Sequence, residues 1–203
     1  MERATSIESA DAAAIPLRYR RWKNHPAPGT DFPDITPAAT DGATVRQVVE
    51  ALARQLPGDT EIIGGIDVGG LGLAGALAYR NALGMLDIRK VGSIRVEVIR
   101  TIMANYELGD GVAISRAHGI AGRRLTIVDD CLMTGGHALA AIRLIRRLGG
   151  HCDTAMFVFE LDGMGGRSLL AGAGIRVHSL RPLPQAEPEA PEGGLPGPPA
   201  ASA

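Results

Sequence analysis

The chain has 203 residues, 45% of them hydrophobic but only 3% aromatic, which suits one soluble globular domain with a core of Ala, Val, Ile and Leu. With 21 basic against 22 acidic residues the net charge is −1, so no general attraction to nucleic acid or anionic membrane is expected and any phosphate recognition must be local. Cys131 and Cys152 are too few for a disulfide framework and lack metal-ligand spacing, and no run of about 18 apolar residues occurs, so a cytoplasmic protein is expected.

In chain order, residues 1–14 are expected to be disordered. Residues 17–37, LRYRRWKNHPAPGTDFPDITP, are punctuated by prolines that predict an irregular arm wrapping the domain. Apolar residues at Val45, Val48, Val49 and Leu52 predict a helix over Gly42 to Gln55, and EIIGGID at Glu61 to Asp67 a short aliphatic strand ending in a glycine-rich turn. A helix over Leu71 to Leu83 and a strand over Met85 to Val91 follow. Residues 93–115 read as two extended pieces around a flexible connection. Beyond them come a strand at Arg124 to Val128, a helix at Gly136 to Leu148 with Ala138, Ala141, Ile142 and Ile145 on one face, and a strand at Thr154 to Leu161. Residues 182–203 are dominated by Pro, Ala, Gly and Glu and are expected to form a disordered tail, leaving 15–181 as the domain.

Strands alternating with helices of ten to thirteen residues imply right-handed crossovers. The expected fold class is therefore α/β, a mainly parallel twisted sheet with helices on both faces. Ligands of such sheets bind beyond the carboxyl ends of the strands, where both glycine-rich turns fall.

The most informative stretch is LTIVDDCLMTGGH at Leu125 to His137. Its aliphatic strand leads into Asp129 and Asp130, whose carboxylates suit ribose 2′ and 3′ hydroxyls and oppose a phosphate. The backbone N–H groups of Met133, Thr134, Gly135, Gly136 and His137 fall at a helix start, where unpaired donors and the dipole favour an anion, and the Thr134 hydroxyl adds a donor. Sugar and phosphate are thus read side by side. A Walker loop is excluded because no Gly-Lys-Ser/Thr occurs. A dinucleotide fold competes, since Gly70-Leu71-Gly72-Leu73-Ala74-Gly75 satisfies G-x-G-x-x-G; its ribose-reading acid has only Asp87 as a candidate, ahead of the second strand's end.

The strand, acidic pair and Thr-Gly-Gly resemble the signature of the type I phosphoribosyltransferases. Within them the chain looks most like the adenine phosphoribosyltransferase group, on PAPGTDFPDITP at Pro26 to Pro37, GGIDVGG at Gly64 to Gly70 and IRKVG at Ile88 to Gly92. The resemblance implies transfer of phosphoribosyl from 5-phosphoribosyl 1-pyrophosphate (PRPP) to a purine, adenine first, in purine salvage, by a homodimer. Mg²⁺ would be carried by the substrate with no side-chain ligands. It implies that Asp129 and Asp130 grip the ribose, that residues 133–137 hold the 5′-phosphate, and that Asp67, Val68, Gly69, Gly70, Arg89 and Lys90 surround the pyrophosphate. Asp31, Phe32 and Leu161 would meet the base, and Glu107, in Glu107-Leu108-Gly109 of a mobile loop, would assist proton removal. Two departures stand out: the family's arginines are Gly69 in the pyrophosphate loop and Pro33 beside the base. They motivate the alternatives of a PRPP or nucleotide sensor with little turnover, or a transferase for a modified base.

Overall fold

A computed structural model describes residue 15 and residues 17–90, 98–102, 111–115 and 119–186. The arm folds back as a two-stranded antiparallel ribbon, β1 (Arg20–Trp22) with β2 (Phe32–Asp34), in which Arg21 faces Pro33 and Trp22 faces Phe32. It was expected to be irregular, but its prolines sit where a ribbon tolerates them: Pro33 is on a strand with one neighbour only, and Pro26 and Pro28 lie in the connection. A single turn, α1 (Thr36–Ala39), leads to α2 (Gly42–Arg54), whose start is capped by the Asp41 carboxylate accepting from the N–H groups of Ala43 and Thr44.

The remaining strands are β3 (Ile62–Ile66), β4 (Gly84–Lys90), β5 (Val98–Ile102), β6 (Gly111–Ser115), β7 (Arg124–Leu132), β8 (His151–Leu161) and β9 (Arg176–Leu183). They form one sheet in the order β5-β6-β4-β3-β7-β8-β9. The run from β4 to β9 is parallel, while β5 and β6 attach antiparallel at one edge. Helix α3 (Gly69–Asn81) joins β3 to β4, α4 (Gly136–Arg147) joins β7 to β8, and α5 (Gly166–Gly172) joins β8 to β9.

Alternation along the central strands sorts the core into two layers. Ile62, Ile66, Ile127 and Phe157 pack under Ala138, Ala141, Ile142 and Ile145 of α4. Ile63, Val128, Met156 and Val158 pack under Val48 and Leu52 of α2 and Ala74 and Leu77 of α3. Helices cover both faces, as the sequence predicts.

Some boundaries move, and two elements are new. Helix α3 starts at Gly69, so Gly70, Gly72 and Gly75 lie inside a helix and do not make the phosphate turn a dinucleotide fold requires. Strand β7 runs to Leu132, which puts Asp129 and Asp130 within the strand; β8 is long enough to pair with it there, Asp129 opposite Phe157 and Leu132 opposite Glu160. Helix α5 was not predicted at all. Strand β9 was missed too and carries order past residue 181, through Pro182 and Leu183. Residues 1–14, and residues 187–203 of the tail expected from 182 onward, lie outside the described residues.

Candidate active site

Strands β3, β4, β7 and β8 run in parallel and therefore open their carboxyl ends onto one rim of the sheet. A cavity of about 570 Å³ lies on that rim, and its walls come from five stretches of chain. The arm gives His25, Pro26, Ala27, Thr30 and Phe32. The end of β3 and start of α3 give Val68 and Gly69, and β4 gives Lys90. The β7–α4 connection gives Asp129 through Ala138 without a break, and β8 and its following loop add Phe157 and Met164.

The β7–α4 connection is a backbone cradle. Gly135 is the residue before α4 and takes φ of 76°, a left-handed conformation that a side chain resists. The turn leaves the helix start without a side-chain cap, so its N–H groups remain for an anion. Asp130 donates its backbone N–H to the Asp129 carboxylate at 2.9 Å, fixing one acid against the other. Burial pushes the Asp129 carboxyl well above the ordinary aspartate range, reinforced by the charge of Asp130; Asp130 is also raised by burial. Lys90 opposes both shifts through its positive charge. Cys131 follows directly, and burial with the two neighbouring carboxylates pushes its thiol far up, which removes it from nucleophilic chemistry.

Gly69 packs directly on the acidic pair. A Cβ at this position would overlap the Asp130 carboxyl group and lie 2.8 Å from its Cβ. With this backbone, position 69 cannot carry an arginine unless Asp130 moves. Lys90 is the one permanent cation among the described residues that line the cavity; His25 and His137 are the other basic groups there. The peptide joining Asp67 to Val68 is cis.

Of the residues singled out from sequence, the structure brings Phe32, Val68, Gly69, Lys90, Asp129, Asp130 and Met133 to His137 into one cavity. The others among the described residues lie outside that wall. Asp31 is not in the wall: its N–H is given to the Gln185 carbonyl at 2.9 Å, and its buried carboxylate takes Lys23 and the Asn24 N–H. These contacts brace the arm. Leu161 is 2% exposed and belongs to the core layer under α2 and α3. Arg89 points away to pair with Asp87, as expected for a neighbour of Lys90 on a strand whose side chains alternate. Asp67 and Gly70 lie at the edge of the cavity wall without forming it, Gly70 being packed against β7 at the Val128 carbonyl. Glu107 lies outside the described residues.

Sequence reasoning missed His25, Thr30, Phe157 and Met164. Phe157 and Asp129 are partners across β7 and β8, a register no local pattern announces. His25 meets Phe32 edge to face, with ring centroids 6.0 Å apart. The proline-rich arm was the available signal for it. Among the described residues, no group of three or more His, Cys, Asp or Glu is placed to hold a metal, and no helix is long and apolar enough to cross a membrane.

No family model matches the chain. It is 40% identical over 171 residues to an adenine phosphoribosyltransferase from Mycolicibacterium paratuberculosis, covering 83% of this chain and 93% of that one. It is 39% identical over 160 residues to an adenine phosphoribosyltransferase from Arthrobacter, covering 77% and 84%. Its fold superposes on the crystal structure of adenine phosphoribosyltransferase from Rhodothermus marinus with a TM-score of 0.77 at 31% identity, over 85% of this chain and 98% of that one. The yeast adenine phosphoribosyltransferase, solved with an imino-altritol bisphosphate and adenine, gives a TM-score of 0.74 at 27% identity, over 84% and 98%.

Proposed function

The chain belongs to the adenine phosphoribosyltransferase family, and from that membership we propose that it is a pentosyltransferase converting PRPP and adenine to AMP and pyrophosphate in purine salvage. The observation that carries this reading is the unbroken wall from Asp129 to Ala138, which sets two carboxylates and an anion cradle along one side of a single cavity.

The 5′-phosphate sits in the cradle of residues 133–137, where outward N–H groups and the Thr134 hydroxyl donate to it. Asp129 and Asp130 accept from the ribose 2′ and 3′ hydroxyls. Lys90, across the cavity, faces the pyrophosphate side and offsets the charge of both the acids and the leaving group. The adenine ring enters between the arm and β8, against Phe32 and Phe157 with Met164 and His25 at the border. Reaction is then displacement at C1 of the sugar: the bond to pyrophosphate oxygen breaks, a bond from the purine nitrogen forms, and the ring passes through an oxocarbenium-like state. The negative oxygens of Asp129 and Asp130 lie on the side where that positive charge develops. Holding the two reactants in line supplies most of the rate.

Mg²⁺ would enter on the substrate and take no side-chain ligand, since Asp129 and Asp130 are engaged by the ribose hydroxyls. When bound, Mg²⁺ supplies positive charge to the departing pyrophosphate, in a loop whose family arginine is Gly69.

The enzyme works in the cytoplasm on this reading, as a homodimer. Gly72, Gly75 and Tyr79, the last 91% exposed, form one stripe along α3 that a second copy would cover. Incubation with PRPP, Mg²⁺ and a panel of bases tests the reaction: pyrophosphate release with adenine supports it, and binding of PRPP without release contradicts it.

A further inference from the structure

The back of the phosphate cradle rests on another element. Gly166, the first residue of α5, meets the cradle backbone to backbone: a Cβ on Gly166 would overlap the Met133 carbonyl and come within 3.0 Å of the Gly135 nitrogen and 2.8 Å of Leu132 Cδ1. Seen from the other side, a Cβ on Gly135 would meet the Gly166 carbonyl at 3.1 Å and its Cα at 3.2 Å. The cradle therefore lies between substrate in front and α5 behind.

Helix α5 has seven residues, too few to hold its own shape or place, so its position comes from its contacts with the sheet. Leu170 anchors it by burial. Arg167 anchors it by charge. Its guanidinium forks onto Glu160, Nε to Oε1 at 2.8 Å and Nη2 to Oε2, and also donates to the Val177 carbonyl at 3.0 Å and the Ser179 hydroxyl at 2.9 Å. Ser179 in turn donates to Glu160 Oε2. One side chain thus ties α5 to β8 and β9 together. Glu160 is 8% exposed and stands opposite Leu132 in the β7–β8 pairing, at the level where the cradle begins. Burial works against its charge, and the hydrogen bonds of Arg167 and Ser179 outweigh burial and hold its carboxyl below the ordinary range. A planar fork with two carboxylate bonds fixes direction as well as distance, which a lysine would not.

We propose that Arg167, clamped by Glu160 and Ser179, is a positioning residue for the 5′-phosphate: it presses Gly166 against Met133 and Gly135 and so sets the cradle's amides for the anion. The proposal rests on the assignment of residues 133–137 to the phosphate. It concerns a residue that lines no part of the cavity. The clamp acts on the end of the ligand that is fixed before and after reaction, so its loss should weaken PRPP and AMP alike.

The test compares wild type, Arg167→Met and Ser179→Ala by calorimetric AMP binding and by amide hydrogen exchange over residues 132–138. Arg167→Met keeps the apolar stem and removes the fork; a displaced cradle is expected to bind AMP about tenfold more weakly and to exchange faster. Ser179→Ala, which leaves the ion pair, is expected to lose about threefold, and it carries the test should Arg167→Met fail to fold. As a control for simple destabilisation, Arg123→Met breaks the 2.6 Å pair with Glu61 at the opposite end of the sheet and is expected to leave AMP affinity unchanged. Wild-type AMP affinity and wild-type cradle exchange in the folded clamp variants overturn the proposal. If wild type itself binds no AMP, the phosphate assignment fails, and the exchange of residues 132–138 still shows whether Arg167 holds the loop.

Discussion

The two ends of the cavity are built in different ways. At one end, proposed above to hold the ribose phosphate, a continuous stretch from Asp129 to Ala138 supplies acids, amides and helix start in covalent order. At the other, proposed to hold the base and pyrophosphate, the wall is gathered from the arm, β3, β4, β8 and the loop before α5, which are distant in sequence. The first end is contiguous in sequence and braced from behind by Gly166 of α5, whereas the second is assembled from distant segments by tertiary packing alone. Ligand grip should therefore survive changes at the base end, and base choice should be altered without loss of the sugar phosphate.

The largest expected effect falls on the continuous end. Asp129→Asn with Asp130→Asn should weaken PRPP binding by more than about a hundredfold, measured by calorimetry, because amides add donors where hydroxyls need acceptors. The same variant should be more stable. Both acids are raised above the ordinary aspartate range in the fold. The folded protein thus holds more protons than the unfolded chain from about pH 4 up to the raised values, and stability falls as pH rises through that window. Neutral amides remove this cost, so Tm at pH 8 should rise while binding is lost. A Tm that falls along with binding would show that the pair serves the fold instead.

Next is Gly166→Ala, whose new methyl group has no room beside the Met133 carbonyl. Overpacking of this kind typically costs about 1–3 kcal/mol, and here the cradle is what must shift, so AMP affinity should drop about tenfold. Crossing to the other end, Gly69→Arg restores the residue the family expects but drives its Cβ into Asp130. It should lower kcat/KM by about tenfold or more, by pushing an acid off the ribose. A rise in kcat/KM would mean that the loop relaxes and that the missing arginine alone limits the rate. The smallest effect belongs to the base wall: His25→Ala removes an edge contact to Phe32 and should raise KM for adenine by about twofold to fivefold, with KM for PRPP unchanged. Equal changes in both would erase the distinction between the two ends.

The same division decides what the sequence reveals. Residues 125–137 are legible because one strand, one turn and one helix start follow each other, and each has a local rule. Alternating periods likewise give the core helices and the parallel sheet. The strand end was misjudged because Asp129 and Asp130 are polar; they extend β7 only because β8 runs beside them to Leu161. Residues 166–172 have a glycine start and two turns at most, too short for a periodic signal, and so α5 with its Arg167 clamp stayed hidden. The bond from the Asp31 N–H to the Gln185 carbonyl, 154 positions along the chain, has no local signal in the sequence. Gly69 is visible in the sequence as a departure from the family; the packing of α3 on β7 adds that a side chain at this position would meet the Asp130 carboxyl group.

The most direct measurement is formation of AMP and pyrophosphate from PRPP and adenine with Mg²⁺, followed in wild type and in the Asp129→Asn, Asp130→Asn variant under identical conditions. Turnover with adenine is expected in wild type and none above background in the variant, which nonetheless folds. Undiminished turnover in the folded variant, or tight PRPP binding without turnover in wild type, would contradict the proposed function.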